Sequence, residues 1–181
     1  MAATFDLESL KHRLLPVASS KTSPDASVAV IIDADQEPSV LLIRRVERAR
    51  DPWSGQIAFP GGHVSSDDRN FLDAAVRETG EEVGLDMRRH IFLGVLPFIP
   101  AETRGITVAP AVFQLDGQVQ FKLNEEVAES FWAPLNLLGQ LPRTRAEVQT
   151  DSGVRKVDSY SYSDHIIWGL TFRILNLLLG R

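Results

Sequence analysis

The sequence predicts an α/β fold with helices packed on the faces of a mixed β-sheet. Apolar stretches of strand length outnumber helical patterns, and the first two lie at 27–33 and 40–45. Helical patterns occur near both ends of the chain and in its middle, so the strands fall between helices. A length of 181 residues is typical of one domain, and we expect residues 1–181 to form one.

Composition excludes several classes of function. A formal net charge of -5 argues against a general nucleic-acid binder, whose surface is usually basic. The chain has no cysteine, which excludes disulfides, thiolate metal sites and cysteine nucleophiles. The N-terminus lacks the apolar region of a secretory signal, and the apolar C-terminal stretch is short and contains Arg173. We therefore expect a cytoplasmic protein that binds no membrane.

The elements of the first half follow from hydrophobic periodicity and turn residues. Residues 65–68 offer N-caps for a central helix, and Gly84 suits the position that ends one. Apolar residues recur on one face of this helix. In chain order we predict a helix at 7–15, a connector at 20–26, strands at 27–33, 40–45 and 56–59, a charged loop at 45–55, and the central helix after Pro60-Gly61-Gly62.

The second half is predicted to be mostly strands. A hairpin at 147–162 has turn residues at 151–153, and the chain ends in an amphipathic helix at 167–179. The remaining predicted elements are strands at 91–99 and 106–115 around a loop at 100–105, and a strand at 127–135 followed by a short helix.

Three glutamates of the central helix are the main candidates for chemistry. Glu78, Glu81 and Glu82 have i, i+3, i+4 spacing, which places their carboxylates on one helix face. A divalent cation would turn their mutual repulsion into coordination, and Mg²⁺ or Mn²⁺ prefers such oxygens. The alternative is a solvated acidic face. Gly80 costs about 0.8–1 kcal/mol relative to alanine, which is tolerable where something approaches the backbone closely.

The segment 62–85 resembles the Nudix box, G-x5-E-x7-R-E-U-x-E-E-x-G-U, in which U is apolar. Six residues separate Gly62 from Arg69, where the motif has its first glutamate, and Asp68 is the nearest carboxylate. The resemblance implies a Nudix-like α/β/α sandwich, with helices on both faces of a mixed sheet, that cleaves pyrophosphate bonds. The second half of the motif matches at Arg77, Glu78, Glu81, Glu82, Gly84 and Leu85, with Thr79 at the first apolar position.

The resemblance also implies roles for individual residues. The three glutamates would bind Mg²⁺ or Mn²⁺, with the backbone of Gly61 and Gly62 passing close to the metal. Arg77 would orient Glu78 through a charge-assisted hydrogen bond. The general base in Nudix enzymes is a box glutamate or one from a later loop, and Glu126, beside Glu125, resembles the later element. Two glutamates before a strand are also commonly just solvated.

Residues 41–62 resemble the element that precedes the box in Nudix coenzyme A pyrophosphatases, LL-T-x-R-S then R-x3-G-x3-FPGG. Ile43 and Val46 replace the threonine and the serine, and four residues separate Arg50 from Gly55 where the motif has three. The implied reaction cuts coenzyme A or acyl-coenzyme A into 3′,5′-ADP and (acyl)phosphopantetheine. The matching residues are Leu41, Leu42, Arg45, Gly55, Phe59, Pro60, Gly61 and Gly62.

Substrate contacts are expected from the arginine-rich segment before the box, because guanidinium groups bind phosphate bidentately. Other substrates remain open: ADP-ribose, dinucleotides and nucleoside triphosphates. A non-catalytic Nudix-like binding module is a further alternative, although such a module would be expected to lose box glutamates. An acidic interaction helix without metal is another. A homodimer formed through the terminal helices is also open. We assign substrate binding to Arg44, Arg45, Arg50, Phe59 and Gly61, with Trp53 and Phe98 as further aromatic platforms for a base. The alternatives are a solvated charged loop for the arginines and core or loop packing for the three aromatic residues.

Overall fold

The computed structural model describes residues 4–17, 23–49, 53–101, 105–150 and 153–181. A 3₁₀ turn at Met87–Arg89 follows the central helix. The helices and strands in chain order are α1 (Leu7–Lys11), β1 (Ala26–Asp33), β2 (Ser39–Arg45), β3 (Ile57–Ala58), β4 (Gly61–His63), α2 (Phe71–Val83), β5 (Ile91–Val95), β6 (Ile99–Ala101), β7 (Ile106–Gln114), β8 (Val127–Pro134), α3 (Leu135–Gln140), β9 (Thr144–Thr150), β10 (Gly153–Tyr162), β11 (His165–Trp168) and α4 (Gly169–Leu179).

The larger sheet is mixed, as predicted. Strand β1 runs parallel to β7 along most of its length, and β7 also pairs antiparallel with β5 and β6. Strand β2 pairs antiparallel with β8 and meets β1 only near their shared turn. A separate antiparallel sheet contains β9, β10 and β11. The predicted hairpin is therefore present, and its turn residues 151–152 lie outside the described residues.

A short segment fills the opening where β1 and β2 diverge. Strand β3 pairs with β2, and β4 pairs with β1 through Ser27 and Gly62. Between them the Ala29 amide donates to the Pro60 carbonyl oxygen at 2.7 Å. Gly61 has a φ of 150°, and a Cβ there would lie 2.3 Å from the Ser27 carbonyl oxygen. The predicted glycine turn is thus a strand that only glycine can form at this distance.

Helices pack on both faces of this sheet, which confirms the predicted architecture. Because side chains alternate along a strand, Leu41 and Ile43 of β2 face α2, whereas Val40 and Leu42 face α4. The two helices use the apolar positions expected from their periodicity. The α2 face contains Phe71, Ala75 and Val83, and the opposite face contains Leu10, Leu138, Ile174, Leu175 and Leu178.

Two predicted elements of the second half are wrong in detail. The strand predicted at 91–99 divides into β5 and β6, because Pro97 has no N–H to donate to the β7 ladder. The last helix begins at Gly169, since 165–168 pair with β10 as β11 and bury Ile167. Among the described residues, no helix is long and apolar enough to cross a lipid bilayer.

The N-cap of α2 was also predicted incorrectly. The cap is Asn70, whose side chain accepts hydrogen bonds from the Leu72 and Asp73 amides at 2.9 and 3.2 Å. Ser65 and Asp68 instead close the turn before the helix, with the Ser65 amide donating to Asp68 at 2.8 Å. The C-terminal end is as predicted, with Gly84 in the left-handed conformation at φ 76°.

Gly80 has no close neighbour that explains it among the described residues. A Cβ there would meet the Leu85 carbonyl oxygen at 3.7 Å, an ordinary contact, so no described protein atom requires glycine at this position. We therefore predict that Gly80→Ala raises the free energy of unfolding by about 0.5–1 kcal/mol, measured by urea denaturation. Gly84→Ala is the opposite control, because its Cβ would lie 2.9 Å from the Lys122 Cβ. Destabilisation by Gly80→Ala would contradict the prediction.

Candidate active site

The carboxylate of Glu82 lies at the junction of α2, β4 and the end of β2. Its side chain is only 4% exposed, although the sequence also allowed this face of α2 to be solvated. The Gly61 amide donates to Glu82 Oε2 at 2.8 Å, and Arg45 Nη1 lies 3.9 Å from Glu82 Oε1. The sequence placed Glu82 on a shared face with Glu78 and Glu81 but did not predict its burial.

The surroundings of Glu82 make it an unusual acid. Burial raises the pKa of Glu82 to about 7, against the lowering effects of the Gly61 amide and Arg45. The negative charges of Glu78 and Glu126 raise this pKa further. Three carboxylates from α2 and from the loop before β8 therefore lie close enough to influence one another.

Glu78 packs against the backbone of β4. A Cβ at Gly62 would lie 2.5 Å from Glu78 Cδ and 2.6 Å from its Oε1, so a side chain at position 62 would displace this carboxylate. Arg77 Nη1 donates to Glu78 Oε1 at 2.7 Å, the contact expected from the sequence. Gly62 and Arg77 thus hold the Glu78 carboxylate from two sides.

Asp68 is the second partner of Arg77, which was not predicted from the sequence. Arg77 Nε and Nη2 donate to the two oxygens of Asp68 at 3.1 and 2.9 Å, and Nη2 also donates to the His63 carbonyl oxygen at 3.1 Å. Five residues separate Gly62 from Asp68, so the motif spacing counted from the glycine leads to Asp68. The additional residue lies between Asp68 and Arg77, and the exposed Arg69 pairs with Asp73 instead.

Glu81 is the most exposed of the three box glutamates. Its side chain is 57% exposed, and its Oε1 lies 3.6 Å from Arg77 Nη1. Within the part of the chain that the structure describes, no three histidine, aspartate or glutamate side chains converge as a ready-made set of metal ligands. Glu78 and Glu81 both face Arg77, while Glu82 faces Gly61.

The arginines before the box do not form one cluster. Arg45 points towards Glu82, whereas Arg44, on the other face of β2, donates through Nε to Glu129 Oε1 at 2.9 Å. Arg48 reaches the later loop, with Nη1 3.6 Å from Glu126 Oε1. Arg50 lies outside the described residues.

Glu126 lies in the loop that leads into β8. The Val46 amide donates to its carbonyl oxygen at 2.9 Å, which fixes the loop to the end of β2. Its side chain is half-exposed beside Arg48. The structure thus brings Glu126 to the same end of the sheet as Glu82, a juxtaposition that the sequence could suggest only by resemblance.

Phe59 does not form an exposed platform. It is 3% exposed and belongs to the core between the sheet and α4, so its ring cannot stack on a base in this structure. The assignment of Phe59 as a platform for a base is therefore wrong, and the alternative of core packing holds. Phe98 makes an edge contact with Phe71, with ring centroids 5.4 Å apart, and Trp53 is partly exposed.

A cavity of about 310 Å³ lies beside Arg44, on the α4 side of β2. Its lining combines apolar side chains, Ile57, Ile166 and Trp168, with the polar side chains of Gln149 and His165. His165 Nε2 lies 3.3 Å from Glu129 Oε1, the oxygen that also accepts from Arg44. This cavity could not be predicted from the sequence, because residues near 44–57 meet residues near 148–149 and 164–168 only in the folded chain.

We predict that Asp68→Asn lowers the free energy of unfolding by about 1–2 kcal/mol at neutral pH. The hydrogen bonds from Arg77 lower the pKa of Asp68 to about 2 from 3.8. A lowered pKa stabilises the folded state above the unfolded pKa, so the difference from wild type should shrink as pH falls from about 4 to 2.

Urea denaturation at several pH values measures this difference. Asp67→Asn, at the exposed neighbouring position, is the matched control and should be close to neutral. An Asp68→Asn effect that persists unchanged at pH 2 would contradict the ion-pair explanation.

Known proteins are similar to this chain in sequence and in fold. Residues 22–152 match the NUDIX domain. A protein of Pectobacterium atrosepticum named uncharacterized Nudix hydrolase NudL is 36% identical over 176 residues, which cover 96% of this chain and 88% of the relative. A Yersinia pestis protein of the same name is 34% identical over 161 residues, covering 88% and 80%.

Solved structures agree at the level of the fold. A Caenorhabditis elegans Ap4A hydrolase in a binary complex superposes with a TM-score of 0.52 at 22% identity, covering 64% of this chain and 82% of that chain. A MutT/nudix family protein from Enterococcus faecalis gives 0.54 at 19% identity, covering 94% and 66%. With the NUDIX match over 22–152 and the 36% identity to a Nudix hydrolase, this chain belongs to the Nudix family and is a hydrolase of phosphoanhydride bonds.

Proposed function

We propose that the enzyme cleaves the pyrophosphate bond of coenzyme A or acyl-coenzyme A, giving 3′,5′-ADP and (acyl)phosphopantetheine. The observation that carries the proposed site is the buried Glu82, which shares its surroundings with Glu78, Glu126 and the Gly61-Gly62 backbone. The upstream resemblance over residues 41–62 supports the choice of substrate.

The residues present fit Mg²⁺ or Mn²⁺, ions of the kind that Nudix enzymes generally use. A buried carboxylate whose pKa rises to about 7 through burial would gain from a nearby cation, and all the donors are hard oxygens. Glu78, Glu81 and Glu82 would hold the ion, with Gly62 leaving space for the Glu78 carboxylate. Such an ion supplies charge neutralisation and polarisation of the phosphoryl group.

The protein groups then have distinct tasks. Glu126 accepts the proton of the attacking water, while Arg77 keeps Glu78 in place. Arg45 and Arg48 face Glu82 and Glu126 and limit the repulsion among the carboxylates. Hydrolysis of a phosphoanhydride depends mostly on such positioning and electrostatics.

The cavity beside Arg44 would hold a group that flanks the pyrophosphate. Arg44 uses Nε for Glu129, and within the described residues its two terminal NH₂ groups make no hydrogen bond. These groups can donate to a phosphate oxygen, and Trp168 and Gln149 offer a ring face and an amide to a base. Hydrolysis would then take place on one face of the end of β2, and the flanking group of the substrate would bind on the opposite face.

We predict that Glu82→Gln lowers kcat at least 100-fold while the fold persists. The glutamine oxygen can still accept from the Gly61 amide, but the negative charge needed for the cation is lost. Turnover of coenzyme A with Mg²⁺ or Mn²⁺ and thermal unfolding measure the two effects. The exposed Glu37→Gln in the β1–β2 turn is the control. Near wild-type turnover in Glu82→Gln would reject the site.

The substrate is tested by offering coenzyme A, acyl-coenzyme A, ADP-ribose, NADH and nucleoside triphosphates to the purified protein with each metal. We expect release of phosphopantetheine from coenzyme A. Turnover of another compound without any phosphopantetheine release would reject coenzyme A and keep the hydrolase.

Arg44→Gln tests the role of the cavity. We predict a KM for coenzyme A about tenfold higher with kcat within a factor of two, because a flanking contact forms equally in the ground and transition states. Arg145→Gln, an exposed change on β9, is the control. An unchanged KM in Arg44→Gln would remove this cavity from substrate recognition.

A further inference from the structure

The loop between β7 and β8 closes the last turn of the helix that carries the box glutamates. The Lys122 amide donates to the Val83 carbonyl oxygen at 2.9 Å, and the Asn124 amide donates to the Glu82 carbonyl oxygen at 3.0 Å. Carbonyl oxygens in the final turn of a helix have no N–H partner within the helix, so the loop amides supply the missing hydrogen bonds. The loop therefore takes its position from α2.

Asn124 also binds the residue two positions later. Its side-chain Oδ1 accepts from the Glu126 amide at 2.8 Å. The Glu126 carbonyl oxygen is fixed separately by the Val46 amide at 2.9 Å. Both backbone groups of Glu126 are thus held, and one of the two contacts depends on the Asn124 side chain.

We infer that Asn124 is a positioning residue, which sets the Glu126 carboxylate against the Glu82 end of α2. Its backbone amide donates to the Glu82 carbonyl oxygen, and its side chain accepts from the Glu126 amide, so one residue links the backbones of the two glutamates. This inference rests on the proposed role of Glu126 as general base. A displacement of a general base by 1 Å relative to its reactants can lower the reaction rate by about 100-fold.

The substitution that isolates this link is Asn124→Ala. It removes the side-chain acceptor but keeps the backbone amide that binds Glu82, so α2 retains its end. Asn124→Asp keeps an oxygen at the same place and should restore the contact. Leu123→Ala, at an exposed neighbouring position of the same loop, controls for general loosening of the loop.

Hydrogen exchange of the Glu126 amide tests the contact without any substrate. We expect exchange at least tenfold faster in Asn124→Ala than in wild type, and protection close to wild type in Asn124→Asp and Leu123→Ala. Thermal unfolding and the affinity for Mn²⁺, measured by calorimetry, should stay close to wild type in all three. Wild-type protection in Asn124→Ala would overturn the inference directly.

Kinetics with coenzyme A test the consequence. We expect Asn124→Ala to lower kcat at least tenfold with KM within twofold, and Asn124→Asp to recover most of kcat. In a Glu126→Gln background the alanine substitution should have no further effect, because the group it positions is already lost.

The outcomes separate the two proposals. If Glu126→Gln is impaired but Asn124→Ala has wild-type kcat, the positioning role fails and the general base stands. Additive losses in the double variant would also reject the positioning role. If Glu126→Gln has wild-type kcat, the proposed general base itself is wrong.

Discussion

The hydrogen bond from the Gly61 amide to Glu82 organises this end of the molecule. It joins α2 to β4, the short strand in the opening between β1 and β2. A buried carboxylate needs partners, since its desolvation costs several kcal/mol. Here the partners are the Gly61 amide and Arg45, and burial still leaves the pKa of this carboxyl raised to about 7.

The remaining contacts keep α2 in the position that this hydrogen bond requires. Asn70 caps the start of the helix, Arg77 fastens it to the preceding loop through Asp68, and the amides of Lys122 and Asn124 close its end. Each contact lies outside the apolar core that holds the helix to the sheet. The core therefore sets the depth of α2, whereas these polar contacts determine how its carboxylates are directed.

Local sequence patterns predicted most of the elements, including α2 and its end. The apolar spacing of α2 predicted its buried face, and Gly84 marked its end. The N-cap of α2 was predicted wrongly because Ser65 and Asp68 suit a turn as well as a cap. In the structure Asp68 accepts hydrogen bonds from the Ser65 amide and from Arg77. The split of residues 91–99 was readable, because Pro97 cannot donate to a ladder.

The separation of Arg44 and Arg45 was readable too, because neighbours on a strand point to opposite faces. What the sequence could not give was the cavity, since Gln149 and Trp168 reach Arg44 only through a sheet formed by distant residues. The burial of Phe59 depends in the same way on α4, which follows it by more than a hundred residues.

The alternation at the end of β2 has a consequence for specificity. The Arg45 side chain lies on the face of β2 near the box carboxylate Glu82. The Arg44 side chain lies on the opposite face, beside β9 and β11. The two faces are built from different parts of the chain, so β9 and β11 can vary without disturbing Glu78, Glu82 or Gly61. A box that preserves one reaction is then compatible with many flanking groups. In the proposed assignment, the surroundings of Arg44 would therefore decide the substrate more than the helix that carries the box glutamates.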